Sequence, residues 1–71
     1  MATSFIGSDA GTVWRALDAA GRTMSWGELL AATRLSDTRL AAAIGWLARE
    51  DKVSIANEEE SVYVTLLRNL V

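Results

Sequence analysis

Apolar residues recur at helical spacing in three stretches of the chain and alternate with polar ones in a fourth. In the first stretch Ala10, Val13, Trp14 and Leu17 fall on one face of a 3.6-residue repeat. This predicts a helix from about Asp9 to Ala20, with Ser8 or Asp9 capping its first N–H groups. Gly21 suits the left-handed position just past the helix end. Arg22 to Met24 reads as a short extended piece. In the second stretch Trp26, Leu29, Leu30 and Thr33 share a face, and Ser25-Trp26-Gly27-Glu28 forms a capping box, in which serine and glutamate each bond the other's backbone N–H. That helix ends near Thr33. The third begins after Ser36, a second cap, with Asp37 in the first turn, where negative charge suits the helix dipole. Leu40, Ala43, Ile44 and Leu47 then recur with the helical period and are expected to face the core, and the helix ends near Glu50.

Beyond Glu50 the period changes. Val53 and Ile55 flank Ser54, and Val62, Val64 and Leu66 alternate with Tyr63 and Thr65, which predicts two half-buried strands. Asn57-Glu58-Glu59-Glu60 reads as the turn between them, and a short apolar tail runs from Leu67 to Val71. Arg34-Leu35, between Thr33 and Ser36, is the length of connection that joins the helices of a helix-turn-helix. The fold class predicted is therefore α+β: a winged helix-turn-helix of three helices, a short strand and a C-terminal β-hairpin wing. It forms a single domain over residues 1–71.

Two strings carry a resemblance. Leu29-Leu30-Ala31-Ala32-Thr33-Arg34-Leu35-Ser36, followed by Leu40, Ile44, Leu47 and Val53, resembles the winged-helix pattern of bacterial regulators. Gly45-Trp46-Leu47-Ala48-Arg49-Glu50-Asp51-Lys52-Val53, with Ala10-Gly11-Thr12-Val13-Trp14 upstream, resembles a family of small bacterial winged helix-turn-helix proteins of unknown function. The resemblance runs from about Ile6 to Leu66. It implies the fold and a cytoplasmic bacterial setting; a role in transcription regulation enters only by analogy of fold.

Composition then narrows the chemistry. Seventy-one residues make one domain with a small interior. The chain has no cysteine and no histidine, so it forms no disulfide and lacks the usual zinc ligand sets. No metal or cofactor is expected. Hydrophobic residues make up 51% of the chain and include three tryptophans, a large apolar share for so small a core. Small domains without disulfides or metals are often supported by a second subunit, so a homodimer is expected. Met1-Ala2-Thr3-Ser4 lacks the features of a signal peptide, and no apolar run is long enough to span a bilayer. A cytoplasmic location and no membrane partner are expected. The net charge of −2 counts against nucleic-acid binding, since domains that bind nucleic acid alone are usually basic.

Two functional readings follow from the third helix. Its outward positions are Thr38, Ala42, Gly45 and Arg49, with Arg39 and Trp46 on the flank. In the first reading the domain is a regulator-type module that binds DNA weakly as a homodimer. Its contacts would be Arg34, Thr38, Arg39, Arg49 and Lys52, and Arg22 would extend a modest basic rim. Against this reading, the outward face offers few of the side chains that read base edges. Glu58, Glu59 and Glu60 also place negative charge where a wing meets phosphates. In the second reading the fold serves protein contact. A glycine inside a helix costs about 1 kcal/mol relative to alanine and suggests close approach of a neighbour. The interface would comprise Gly45, Trp46, Tyr63, Leu67 and Leu70, while Trp14 and Trp26 belong to the core. Nothing supports catalysis. The common acid–base and nucleophilic types histidine and cysteine are absent, no glycine-rich phosphate loop is present, and no small-molecule substrate is implied.

Overall fold

The computed structural model describes residues 4–68. In chain order the elements are α1 (Ser4–Ala20), β1 (Met24–Ser25), α2 (Trp26–Thr33), α3 (Asp37–Arg49), β2 (Val53–Glu58) and β3 (Ser61–Leu66). This is the winged helix-turn-helix expected from the pattern, an α+β fold with a C-terminal hairpin.

The local signals explain the second and third helices. Ser25 accepts from the Glu28 N–H at 3.2 Å and the Glu28 carboxylate accepts from the Ser25 N–H at 2.9 Å, which completes the capping box. Ser36 accepts from the Arg39 N–H and starts α3. Arg34 ends α2 in the left-handed conformation, φ 61°, and its N–H bonds the Leu30 carbonyl. All four positions assigned to the inward face of α3 are buried. They join Ala10, Val13 and Leu17 of α1, Met24 of β1, Leu29 of α2, Val53 of β2 and Val64 of β3 in one core.

Helix α1 departs from expectation. It starts at Ser4, a turn and more before Asp9, so neither Ser8 nor Asp9 is its cap. Ile6 continues the face of Ala10, Val13 and Leu17 backwards, and Asp9 sits on that face, only 3% exposed. A carboxylate there is held by a tertiary ion pair, described below, rather than by the helix end. Trp14 and Trp26 pack against the core but remain half-buried. The Trp26 indole N–H reaches Asp37 at 2.9 Å and ties the start of α2 to the start of α3.

The sheet order is β1-β3-β2, all antiparallel. β1 pairs Met24 with Val64 and Ser25 with Tyr63, starting two residues and ending one residue later than the extended piece read from sequence. Pairing of β2 with β3 is unbroken from Val53↔Leu66 to Glu58↔Ser61. The turn therefore contains only Glu59 and Glu60, both at positive φ (50° and 67°), not the four residues expected. Ile55, expected to be half-buried, is 48% exposed. It lies on the core side of the sheet opposite Val64, but on the outermost strand.

Candidate functional site

The candidate surface is the outward side of α3, the turn before it and the hairpin after it. Thr38, Ala41, Gly45, Trp46 and Arg49 are exposed along α3, and Ala42 is half-buried. The α2–α3 turn adds Arg34, and the residues leading into β2 add Lys52; both are exposed.

Arg39, on the flank of α3 by its spacing, is exposed but engaged. Its Nε and Nη2 each donate to one oxygen of the Asp9 carboxylate at 2.7 Å, a bidentate pair. Asp9 is buried, so this pair neutralises the charge that α1 brings under α3. The guanidinium also lies 5.1 Å from the centre of the Phe5 ring, one helical turn before Asp9 on α1. The pair raises the Arg39 pKa, first through the hydrogen bonds and then through the charge of Asp9. Sequence reasoning missed Asp9 because it took the residue as a helix cap. The available signal was its place four residues before Val13, on the apolar stripe, where a carboxylate needs a cation.

Two further cations are engaged. Arg22 donates to both Glu28 oxygens, at 3.1 and 3.0 Å, on the same carboxylate that closes the capping box. These contacts hold Glu28 at a pKa of about 2, chiefly through the Arg22 hydrogen bond and next through the Ser25 N–H. Arg68 pairs with Asp18 of α1. Among the described residues, Arg15, Arg34, Arg49 and Lys52 make no ion pair. All five residues expected to meet DNA are exposed, and Arg39 is in addition paired with Asp9. Arg34 and Arg49 stand at opposite ends of α3. The N-terminal turn of that helix, where base contacts usually arise, presents Asp37 and Thr38.

The association residues divide as well. Gly45 is exposed, and a Cβ built on it would meet no atom within 4 Å. No close approach within the described chain requires this glycine. Trp46 beside it is 46% exposed. Tyr63 is half-buried on β3, opposite Ala56 on one side and Ser25 on the other. Leu67 is exposed, with its N–H on the Lys52 carbonyl, and Leu70 lies outside the described residues. Gly45 and Trp46 thus lie on α3, Tyr63 on β3 and Leu67 just past its end.

Comparison with known proteins now adds the family. A family model described as Winged helix-turn-helix domain (DUF2582) matches residues 1–66. The chain belongs to this family. Its function is unknown. The chain is also similar to the solution NMR structure of protein BT2368 from Bacteroides thetaiotaomicron. The two are 38% identical over 93% of this chain and 79% of that one, with a TM-score of 0.81. Comparison with curated proteins finds no match. Among the described residues no helix is long and apolar enough to cross a membrane.

Proposed function

We propose that this winged helix-turn-helix domain is a protein-contact module, which presents the outward face of α3 to a protein partner rather than to a DNA groove. One observation carries the reading. The middle of α3 exposes Gly45 beside Trp46, and no atom of the described chain approaches that glycine. A mid-helix glycine costs about 1 kcal/mol relative to alanine, and no contact among the described residues offsets it. Tryptophan next to a smooth backbone is the composition of a contact hot spot. The charge distribution supports the same reading. Arg39 is neutralised by Asp9, Asp37 sits at the helix start, and the hairpin tip carries Glu59 and Glu60. Affinity for duplex DNA depends on cations that displace counterions from phosphate, and the face offers few.

An NMR titration of the labelled protein with duplex DNA tests this directly. The expected result is no shift at Arg34, Thr38, Arg49 or Lys52, even at low salt. Shifts clustered on those residues and weakened by added salt would restore the DNA-binding regulator reading. Gly45→Ala supplies a second readout. It is expected to raise the melting temperature, since it adds helix propensity in open space.

A further inference from the structure

The sheet ends in an edge that lacks the usual safeguards. β2 is the outermost strand, and its pairing with β3 runs from Val53 to Glu58 without a bulge. It contains no proline, and between Lys52 and Glu58 it carries no charge. Natural edge strands are normally blunted by one of these devices. The phase of the ladder shows which groups are free. The Leu67 N–H donates to the Lys52 carbonyl, so Lys52, Ser54, Ala56 and Glu58 turn their backbone groups toward β3. Val53, Ile55 and Asn57 therefore turn theirs outward. Ile55, at the centre of this row, is 48% exposed although it lies on the core side of the sheet.

We propose that β2 pairs antiparallel with the β2 of a second copy of this chain, about a two-fold axis at Ile55, so that the two sheets become one. The register follows from two independent features. Only pairing centred on Ile55 places every outward-facing residue opposite another: Ile55 opposite the partner's Ile55, and Val53 opposite the partner's Asn57. The same register sets Lys52 opposite the partner's Glu58 at both ends of the strand pair. Neither side chain has an ion-pair partner among the described residues. Opposite charges across a strand pair attract and like charges repel. A peptide of unrelated sequence would supply the hydrogen bonds but not this matched pair of charges. The two Ile55 side chains also cover each other on the core side, where each is half exposed in the single chain. A single strand pair buries less than the roughly 1,200 Å² of a stable interface, so the dimer forms in the micromolar range or above. This edge is built from other residues than Gly45 and Trp46, and the inference stands or falls independently of the role proposed for α3.

Sedimentation equilibrium from micromolar to millimolar concentration, with amide hydrogen exchange across the same range, tests the pairing. The expected result is a monomer–dimer equilibrium in which the Val53, Ile55 and Asn57 amides gain protection as the dimer forms. Lys52→Glu is expected to weaken the dimer about tenfold by placing like charges opposite each other. Adding Glu58→Lys to that variant is expected to restore the dimer. Ile55→Lys removes it while leaving the fold intact, and Trp46→Ala leaves it unchanged. A monomer at millimolar concentration would overturn the proposal. So would a dimer whose edge amides exchange as in the monomer, or a double charge swap as weak as the single one.

Discussion

The hairpin tip places two glutamates where glycine and asparagine are usual. Glu59 and Glu60 have φ of 50° and 67°, and they form the two-residue loop between β2 and β3. Positive φ at both loop positions is the signature of the turn that favours Asn-Gly, because its twist matches that of the strands. An L residue with a Cβ loses roughly 1–2 kcal/mol in this region. Glycine avoids that loss but gives up about 0.5–1 kcal/mol more backbone entropy on folding. Glu60→Gly should thus gain about 0.5–1 kcal/mol, and Glu59→Asn about half of that, since asparagine tolerates the conformation only in part. Together the substitutions should stabilise the domain by about 0.75–1.5 kcal/mol. For a domain of this size that raises the melting temperature by roughly 3–12 °C. Thermal unfolding followed by circular dichroism and calorimetry measures the change. The control is Glu59→Gln with Glu60→Gln, which removes both charges and keeps the backbone cost. It should gain far less, and the difference should persist in high salt, where exposed charges are screened. If the glutamine pair matches the Asn-Gly pair, the gain comes from charge repulsion within Glu58-Glu59-Glu60, and the backbone argument is refuted.

Other outcomes follow from the same structure. Arg34 holds the left-handed end of α2, so Arg34→Gly should stabilise by about 0.5–1 kcal/mol in urea unfolding. Glu28 has its pKa lowered from 4.5 to about 2 in the folded chain, so the unfolded chain binds the proton more readily between those values. Its contribution to stability is present above pH 4.5 and lost as pH falls toward 2; Glu28→Gln should flatten the acid limb of the stability profile in that window. Asp9→Asn should lower stability and release the Arg39 guanidinium; NMR of the Arg39 Nε–H, which is held at 2.7 Å from Asp9, should report faster solvent exchange. Leu29→Ala empties a fully buried position and should cost about 2–5 kcal/mol, enough to unfold much of so small a domain on warming.

Much of the fold is written locally. The capping box at Ser25, the cap at Ser36, the helical period of Leu40, Ala43, Ile44 and Leu47, and the period-two run from Val62 to Leu66 each lie within a few residues. The structure places them where those patterns put them. The bounds of α2 and α3 and the core face of α3 follow because backbone capping and amphipathic burial are decided over one to four turns, whereas the start of α1 does not. The functional surface was less legible. The spacing of α3 puts Thr38, Ala42, Gly45 and Arg49 outward; three are exposed, Ala42 is half-buried, and Arg39 carries a partner that spacing does not show. No local pattern marks a partner thirty residues upstream, and Asp9 looked like the cap of its own helix.

What the sequence determined by itself is the kind of element each segment forms and which of its faces is apolar, since both depend on neighbours in the chain. What only the tertiary structure decided is which distant groups meet. The Asp9–Arg39 pair joins α1 to α3, and the order β1-β3-β2 puts β2 outside and leaves Ile55 uncovered. The two-residue turn at Glu59-Glu60 belongs with these, because strand register, not turn composition, fixed how many residues it contains. Such outcomes depend on the free energy of closing the whole chain around one core, where a buried charge finds its counter-ion and a strand finds one neighbour rather than two.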